Sequence, residues 1–152
     1  MTGNAGTLTT TGELAMTSPF SGGCACGAVR YECTDDPLYM GNCHCRDCQR
    51  ATGSAYFAAV LVKQNALTIT GDPRWYESAA DRGHVMRRAF CSECGSPVFL
   101  DNTASKGVLV LYAGSLDDPS SYAPSMDIFV ASAQPWDHMD PALPKHDGMP
   151  RR

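Results

Sequence analysis

The sequence predicts a single, mainly β domain of short antiparallel strands built around zinc-knuckle turns. Three observations carry this. Apolar residues recur with a period of two or in short unbroken runs, and no stretch shows a long helical period. Clusters of Gly, Pro and Asp punctuate those runs every few residues. Eight cysteines fall in a patterned order: Cys24-x-Cys26, Cys33, Cys43-x-Cys45-x-x-Cys48 and Cys91-x-x-Cys94. At 152 residues the chain suits one domain with a real core. Residues 1–19, rich in Thr, Gly and Ala, are expected to form a flexible arm, residues 20–145 the zinc domain, and residues 146–152 a Pro-rich tail.

Taken in order, Val29, Tyr31 and Cys33 alternate with Arg30 and Glu32, as in a half-buried strand. A cysteine-rich turn is expected at 43–48. Residues 55–62 are apolar on both faces and short, like a central strand. Leu67 and Ile69 alternate with Thr68 and Thr70. Residues 75–78 and 85–90 read as a strand pair around a polar loop with Asp81 and Gly83. A second cysteine turn sits at 91–95. Residues 98–100 and 108–113 flank a polar turn, and 128–130 form a last short strand. From Gln134 onward, Pro135, Pro141, Pro144 and Pro150 argue against any regular element, and Trp136 is expected to seal the core.

Composition excludes several classes. Hydrophobic residues make up 43% and charged residues 18%, too little charge for a disordered chain. Twelve Lys and Arg against 16 Asp and Glu leave a net charge of −4, which argues against a nucleic-acid or anionic-membrane binder. The eight-residue apolar run at 55–62 is far short of the roughly 20 residues of a membrane span. The opening MTGNAGTLTTTGELAM has neither the basic nor the apolar region of a signal peptide, so a cytoplasmic, reducing setting is expected. There, clustered thiols serve metals or catalysis more often than disulfides.

Cys91-Ser92-Glu93-Cys94-Gly95 has zinc-knuckle spacing, with Gly95 where a positive φ is often needed. Cys24 and Cys26, two apart in an extended segment, point the same way and supply the other half. Together Cys24, Cys26, Cys91 and Cys94 make a closed, structural zinc site. Cys43, Cys45 and Cys48 then offer three ligands to a second zinc, and three protein ligands with an open position is the pattern of a catalytic ion. His44, between two ligands, points away from the metal as a pocket or supporting residue. Cys33 is a fork. As a fourth ligand it would close the second site; as a continuation of the apolar face of Val29 and Tyr31 it belongs to the core.

These segments, with Cys43-His44-Cys45-Arg46-Asp47-Cys48-Gln49-Arg50-Ala51-Thr52-Gly53, Arg88-Ala89-Phe90-Cys91 and Ala113-Gly114-Ser115-Leu116-Asp117, resemble the glutathione-dependent formaldehyde-activating enzyme family, which also contains centromere protein V. The resemblance covers about residues 20–145. It implies an all-β fold around two zinc ions, the structural one on Cys24, Cys26, Cys91 and Cys94 and the catalytic one on Cys43, Cys45 and Cys48. It also implies a carbon–sulfur lyase that joins glutathione and formaldehyde to S-(hydroxymethyl)glutathione, or reverses that reaction. Asp127 departs from the pattern, which has a His before Ile-Phe-Val, and residues 79–84 run longer than it.

Three thiolates leave a zinc site at a formal charge of −1, so nearby cations should help. Arg46 and Arg50, and Arg87 or, in preference to it, Arg88, are the candidates, and their guanidinium forks also suit the carboxylates of glutathione. Thr52 and Ser54 could bond thiolates or substrate, or only cap. Asp117 and Asp118 read as turn chemistry. The competing classes are a non-enzymatic zinc scaffold with two closed four-cysteine sites and a soft-metal buffer. An exposed edge strand would allow a homodimer.

Overall fold

The computed structural model describes residues 16–80 and 83–150, and every count of elements refers to these. Residues 1–15 of the arm expected at 1–19, Asp81 of the polar loop and the last two residues of the tail lie outside them. Eleven strands form two sheets. β1 (Phe20–Gly23), β2 (Arg30–Cys33) and β5 (Leu67–Thr70) make an antiparallel three-stranded sheet in the order β1-β2-β5. The larger sheet runs β11-β10-β3-β4-β9-β8-β7-β6. Its members are β3 (Tyr39–Cys43), β4 (Phe57–Lys63), β6 (Arg74–Ala79), β7 (Val85–Phe90), β8 (Pro97–Asn102), β9 (Val108–Tyr112), β10 (Asp127–Ile128) and β11 (Lys145–His146). The fold is mainly β, and no helix among the described residues is long and apolar enough to cross a membrane.

Strand alternation sorts the side chains of the large sheet. Val60 and Val62 of β4, Leu109 and Leu111 of β9 and Phe99 of β8 point to one face, where the small sheet covers them. Tyr31 of β2 meets Phe99 edge to face at 5.5 Å. Each such side chain contributes about 1.5–3 kcal/mol through burial. Cys33 is fully buried in this core, its thiol donating to the Asp35 carbonyl at 3.3 Å. Met16 is 4% exposed in the same cluster. The opposite parity, Phe57 and Ala59, Val110 and Tyr112, Leu100, Met86 and Arg88, looks onto the other face, which carries the candidate site.

Four expectations need correction. The turn at 43–48 contains a helix, α1 (Arg46–Thr52), whose seven residues are too few to show a helical period. Gly53 ends it in the left-handed conformation, φ 66°, as a C-terminal glycine does. The strand expected at 128–130 is Asp127–Ile128, because Phe129 turns left-handed at φ 57° and opens a single 3₁₀ turn, Val130–Ser132, and it is not the last, since β11 follows it. The proline-rich end is not without regular structure. β11 pairs in parallel with β10, and Pro144 contributes only its carbonyl, which accepts from Asp127 N at 2.9 Å, so its missing N–H costs nothing. Trp136 does not seal the core: it is 61% exposed, and its neighbour Asp137 is the residue that turns inward.

Candidate metal centre

Two sulfur clusters assemble, and all eight cysteines are free thiols. Cys24 follows β1 and Cys91 follows β7. The knuckle turn after Cys91 closes with Gly95 at φ 74° and its N–H on the Cys91 carbonyl at 2.9 Å. Cys24 and Cys26 sulfurs lie 3.6 Å apart, and Cys26 and Cys91 sulfurs 3.7 Å. Tetrahedral zinc with bonds of about 2.3 Å sets sulfurs about 3.8 Å apart, so this donor set fits the ion. Val29 N donates to Cys24 Sγ at 3.2 Å, and Ser96 bonds pull the Cys94 thiol down to about 5. The cluster ties the small sheet to the large one across 65 residues.

The second cluster is built on one local rule. Cys43 ends β3 and Cys45 is extended, φ −65° and ψ 154°, so their side chains share a face while His44 takes the other. Cys45 is also the N-cap of α1: its sulfur accepts from Cys48 N at 3.3 Å, and the first helical turn returns Cys48 to it. The ligand atoms of Cys43, Cys45 and Cys48 all lie within 4.8 Å of one another. Bonds from Cys43 and Cys48 drive the Cys45 thiol far down, and Cys48 is correspondingly pushed up, first by Cys43 and then by Cys45. Three cysteine sulfurs gathered this closely have the chemistry of a thiophilic cation site. Among the described residues no fourth Cys, His, Asp or Glu joins it. Cys33 is in neither cluster.

Behind the trio lies a buried polar network. His44 has no exposed surface; Nε2 lies 3.0 Å from Asp127 Oδ1, and Nδ1 lies 2.8 Å from Asp137 Oδ2, in a contact off the ideal hydrogen-bond direction. Asn42 Nδ2 donates to Asp127 Oδ1 at 2.9 Å and Tyr122 Oη to Asn42 Oδ1 at 2.9 Å. Burial alone would raise the Asp127 carboxyl. The bonds from His44 and Asn42 outweigh it and hold the carboxyl below its ordinary value, with Lys145 Nζ 3.5 Å away. Gln49, 5% exposed, donates to the carbonyls of His44 at 2.6 Å and Ser132 at 2.9 Å. Asn42, Gln49, Asp127 and Asp137 therefore fix the backbone that presents the sulfurs. The sequence pointed to His44, and to Asp127 only as a departure. Asp137 and Asn42 are placed by pairings with no local signal.

The remaining candidates take different places. Arg46 donates to Gln49 Oε1 and braces it, while Arg50 is exposed on α1. Thr52 Oγ1 donates to the Cys48 carbonyl at 2.8 Å and so holds the last turn of α1. Arg88 stands in register with Leu100 and Tyr76 on the trio's face of the sheet, with Nη1 donating to Ser78 Oγ at 3.1 Å. Arg87 is on the other face, paired with Glu77 and Asp101 and stacked 4.9 Å over Trp75. Tyr112 is missing from the sequence reading. Burial pushes its phenol up to about 12, and Arg88 and Cys48 bias it in opposite directions. The alternation Val108, Val110, Tyr112 along β9 was the signal that could have placed it. Asp117 does structural work, with Arg30 bonded to both its oxygens at 2.8 and 2.5 Å.

A family model described as glutathione-dependent formaldehyde-activating enzyme matches residues 19–132, a span that contains all eight cysteines. Among solved structures, a crystal structure of a Rhodobacter sphaeroides protein is similar, with 20% sequence identity over 64% of this chain and 87% of that one and a TM-score of 0.49. No curated protein matches the sequence.

Proposed function

Because the chain belongs to the glutathione-dependent formaldehyde-activating enzyme family, we propose that it is a zinc-dependent carbon–sulfur lyase acting on the adduct of a small thiol and an aldehyde, of the S-(hydroxymethyl)glutathione synthase type. The observation that supports this reading is the donor count. Cys43, Cys45 and Cys48 gather with no further ligand of the described residues, whereas the other cluster has four sulfurs. Four thiolates make a closed site with a structural role; three leave a position for a guest. A zinc ion on the trio would supply a Lewis acid and an exchangeable position at which a thiol loses its proton near neutral pH.

The chain's own residues shape the rest of the reaction. In the forward direction a sulfur–carbon bond forms, the aldehyde's carbon–oxygen π bond breaks, and the proton lost by the thiol ends on that oxygen. Arg88 and Arg50 offset the charge of three thiolates and offer guanidinium forks to the carboxylates of a glutathione-like substrate. Arg46 and Thr52 act on α1 itself, keeping Cys48 beside Cys45. Eight free thiols suit a reducing compartment such as the cytoplasm. The scaffold reading needs a fourth sulfur at the trio, and Cys33 is committed to the other core.

The test is to incubate zinc-loaded protein with formaldehyde and a panel of thiols headed by glutathione, following adduct formation by NMR line exchange. Acceleration with one thiol, abolished in Cys48→Ala, supports the lyase. No acceleration with any thiol, together with four sulfurs at both metals by X-ray absorption, would establish the scaffold instead.

A further inference from the structure

Tyr112 ends β9 on the sheet face that carries the sulfur trio. It is 7% exposed and packs in one cluster with Cys48 and Phe57, against which Cys43 and Cys45 lie. Its ring centroid is 4.4 Å from that of Phe57, and Phe57 stands directly opposite Cys43 in the β3–β4 register. Other buried phenols are spent on the protein: Tyr31 Oη pairs with Ser115 at 2.9 Å, and Tyr122 Oη donates to Asn42. The Tyr39 hydroxyl is unpaired and sealed from solvent. The Tyr112 hydroxyl differs from all three. Among the described residues it has no hydrogen-bond partner, yet it is not among the sealed, unpaired atoms. Tyr112 is thus a nine-tenths buried side chain, packed in the cluster of Cys48, whose hydroxyl has no protein partner and is not sealed off, and so is free to bond a guest.

We propose that Tyr112 is a catalytic residue whose hydroxyl donates a hydrogen bond to the aldehyde-derived oxygen of the substrate while the substrate sulfur is held at the trio; this rests on the lyase reading above. As sulfur adds to the carbonyl carbon, the π pair moves to oxygen, and the Tyr112 O–H faces the charge that develops there. The alkoxide takes up the proton released by the thiol, and Tyr112 ends the cycle as it began. In the reverse direction the same bond orients the hydroxymethyl oxygen for expulsion of the sulfur.

The experiment compares S-(2-hydroxyethyl)glutathione with the isosteric S-propylglutathione, by calorimetry on zinc-loaded wild type and Tyr112→Phe, with metal content and Tm measured alongside. Wild type is expected to prefer the hydroxyl compound about tenfold, and the variant to lose that preference while keeping both metals. A second readout needs no variant: the ζ-carbon NMR signal of one tyrosine shifts with the hydroxyl compound and not with the propyl one. Adduct synthesis in Tyr112→Phe should fall by about 100-fold, the usual loss for one oxyanion donor. Equal affinities in wild type, or an unchanged rate in Tyr112→Phe, overturn the assignment and leave the lyase intact. A wild type that makes no adduct but discriminates through Tyr112 overturns the lyase and leaves the subsite standing.

Discussion

His44 and Asp127, 83 residues apart in sequence, meet in the interior with Nε2 3.0 Å from Oδ1, and neither side chain is more than 1% exposed. The carboxylate gathers His44, Asn42 and Lys145, and so joins β10 to β3 by side chains as well as by their parallel pairing.

Asp127→Ala should destabilise the fold by about 3 kcal/mol, because it strands a buried imidazole and a buried amide together. Urea unfolding checks it. A cost under about 1 kcal/mol would show that the network contributes little beyond packing.

The two sulfur clusters should respond differently to loss of one ligand. Cys94→Ser and Cys48→Ser are each expected to retain one zinc per chain by elemental analysis. The first should lower Tm by at least about 10 °C, since the four-sulfur site joins the two sheets and each kcal/mol moves a domain this size by about 2–4 °C. The second should leave Tm within a few degrees and remove thiol-dependent activity.

Cys33→Ala should keep both metals and full activity, with a stability loss of about 1 kcal/mol from the small cavity. Release of one zinc in this variant would return Cys33 to the ligand set.

Asp117 sets a pH dependence whose sign is fixed. Bonds from Arg30, then Ser21, lower its carboxyl from 3.8 to about 2. A carboxyl depressed on folding stabilises the native state above its ordinary pKa, and that contribution disappears as pH falls toward 2. The Tm gap between wild type and Asp117→Asn should therefore be constant above about pH 4 and close below it, with acid release of metal common to both proteins. Both partners are nearly half exposed, so the gap is expected to be small and to shrink further in salt.

Arg88→Ala should raise KM for glutathione by 10- to 100-fold, the usual range for losing a charge-assisted hydrogen bond, with kcat changed far less. Arg87→Ala, on the opposite face, should leave KM alone. Steady-state kinetics over a range of thiol concentration separates the two.

Both cysteine clusters were legible because their members are local pairs and triplets whose geometry follows from backbone type. Cys24-x-Cys26 and Cys43-x-Cys45 need only an extended chain, and Cys91-x-x-Cys94 only a tight turn. The strands at 29–33, 55–62 and 85–90 were legible from alternation or from short apolar runs. β3 was not, because Gly41 and Asn42 are poor strand formers. At Gly41 the end of the Tyr39 ring fills the space a Cβ would take, so the absence of a side chain leaves room for that ring. α1 was hidden because a cysteine caps it and because two turns hold no period. Asp137 could not be placed at all. Its role depends on where a proline-rich segment returns, which is settled by β11 pairing outside β10.

Adjacent residues of an extended chain look in opposite directions, so the single stretch 43–45 is a thin partition, with two sulfurs of the cysteine trio on one side and the anchor of the chain's final segment on the other. Such a wall has no slack of its own. A bulky fusion attached beyond Met149, or a ligand that shifts the segment carrying Asp137, would pull on the same few backbone atoms that aim two sulfurs, and should change how fast any metal bound there exchanges.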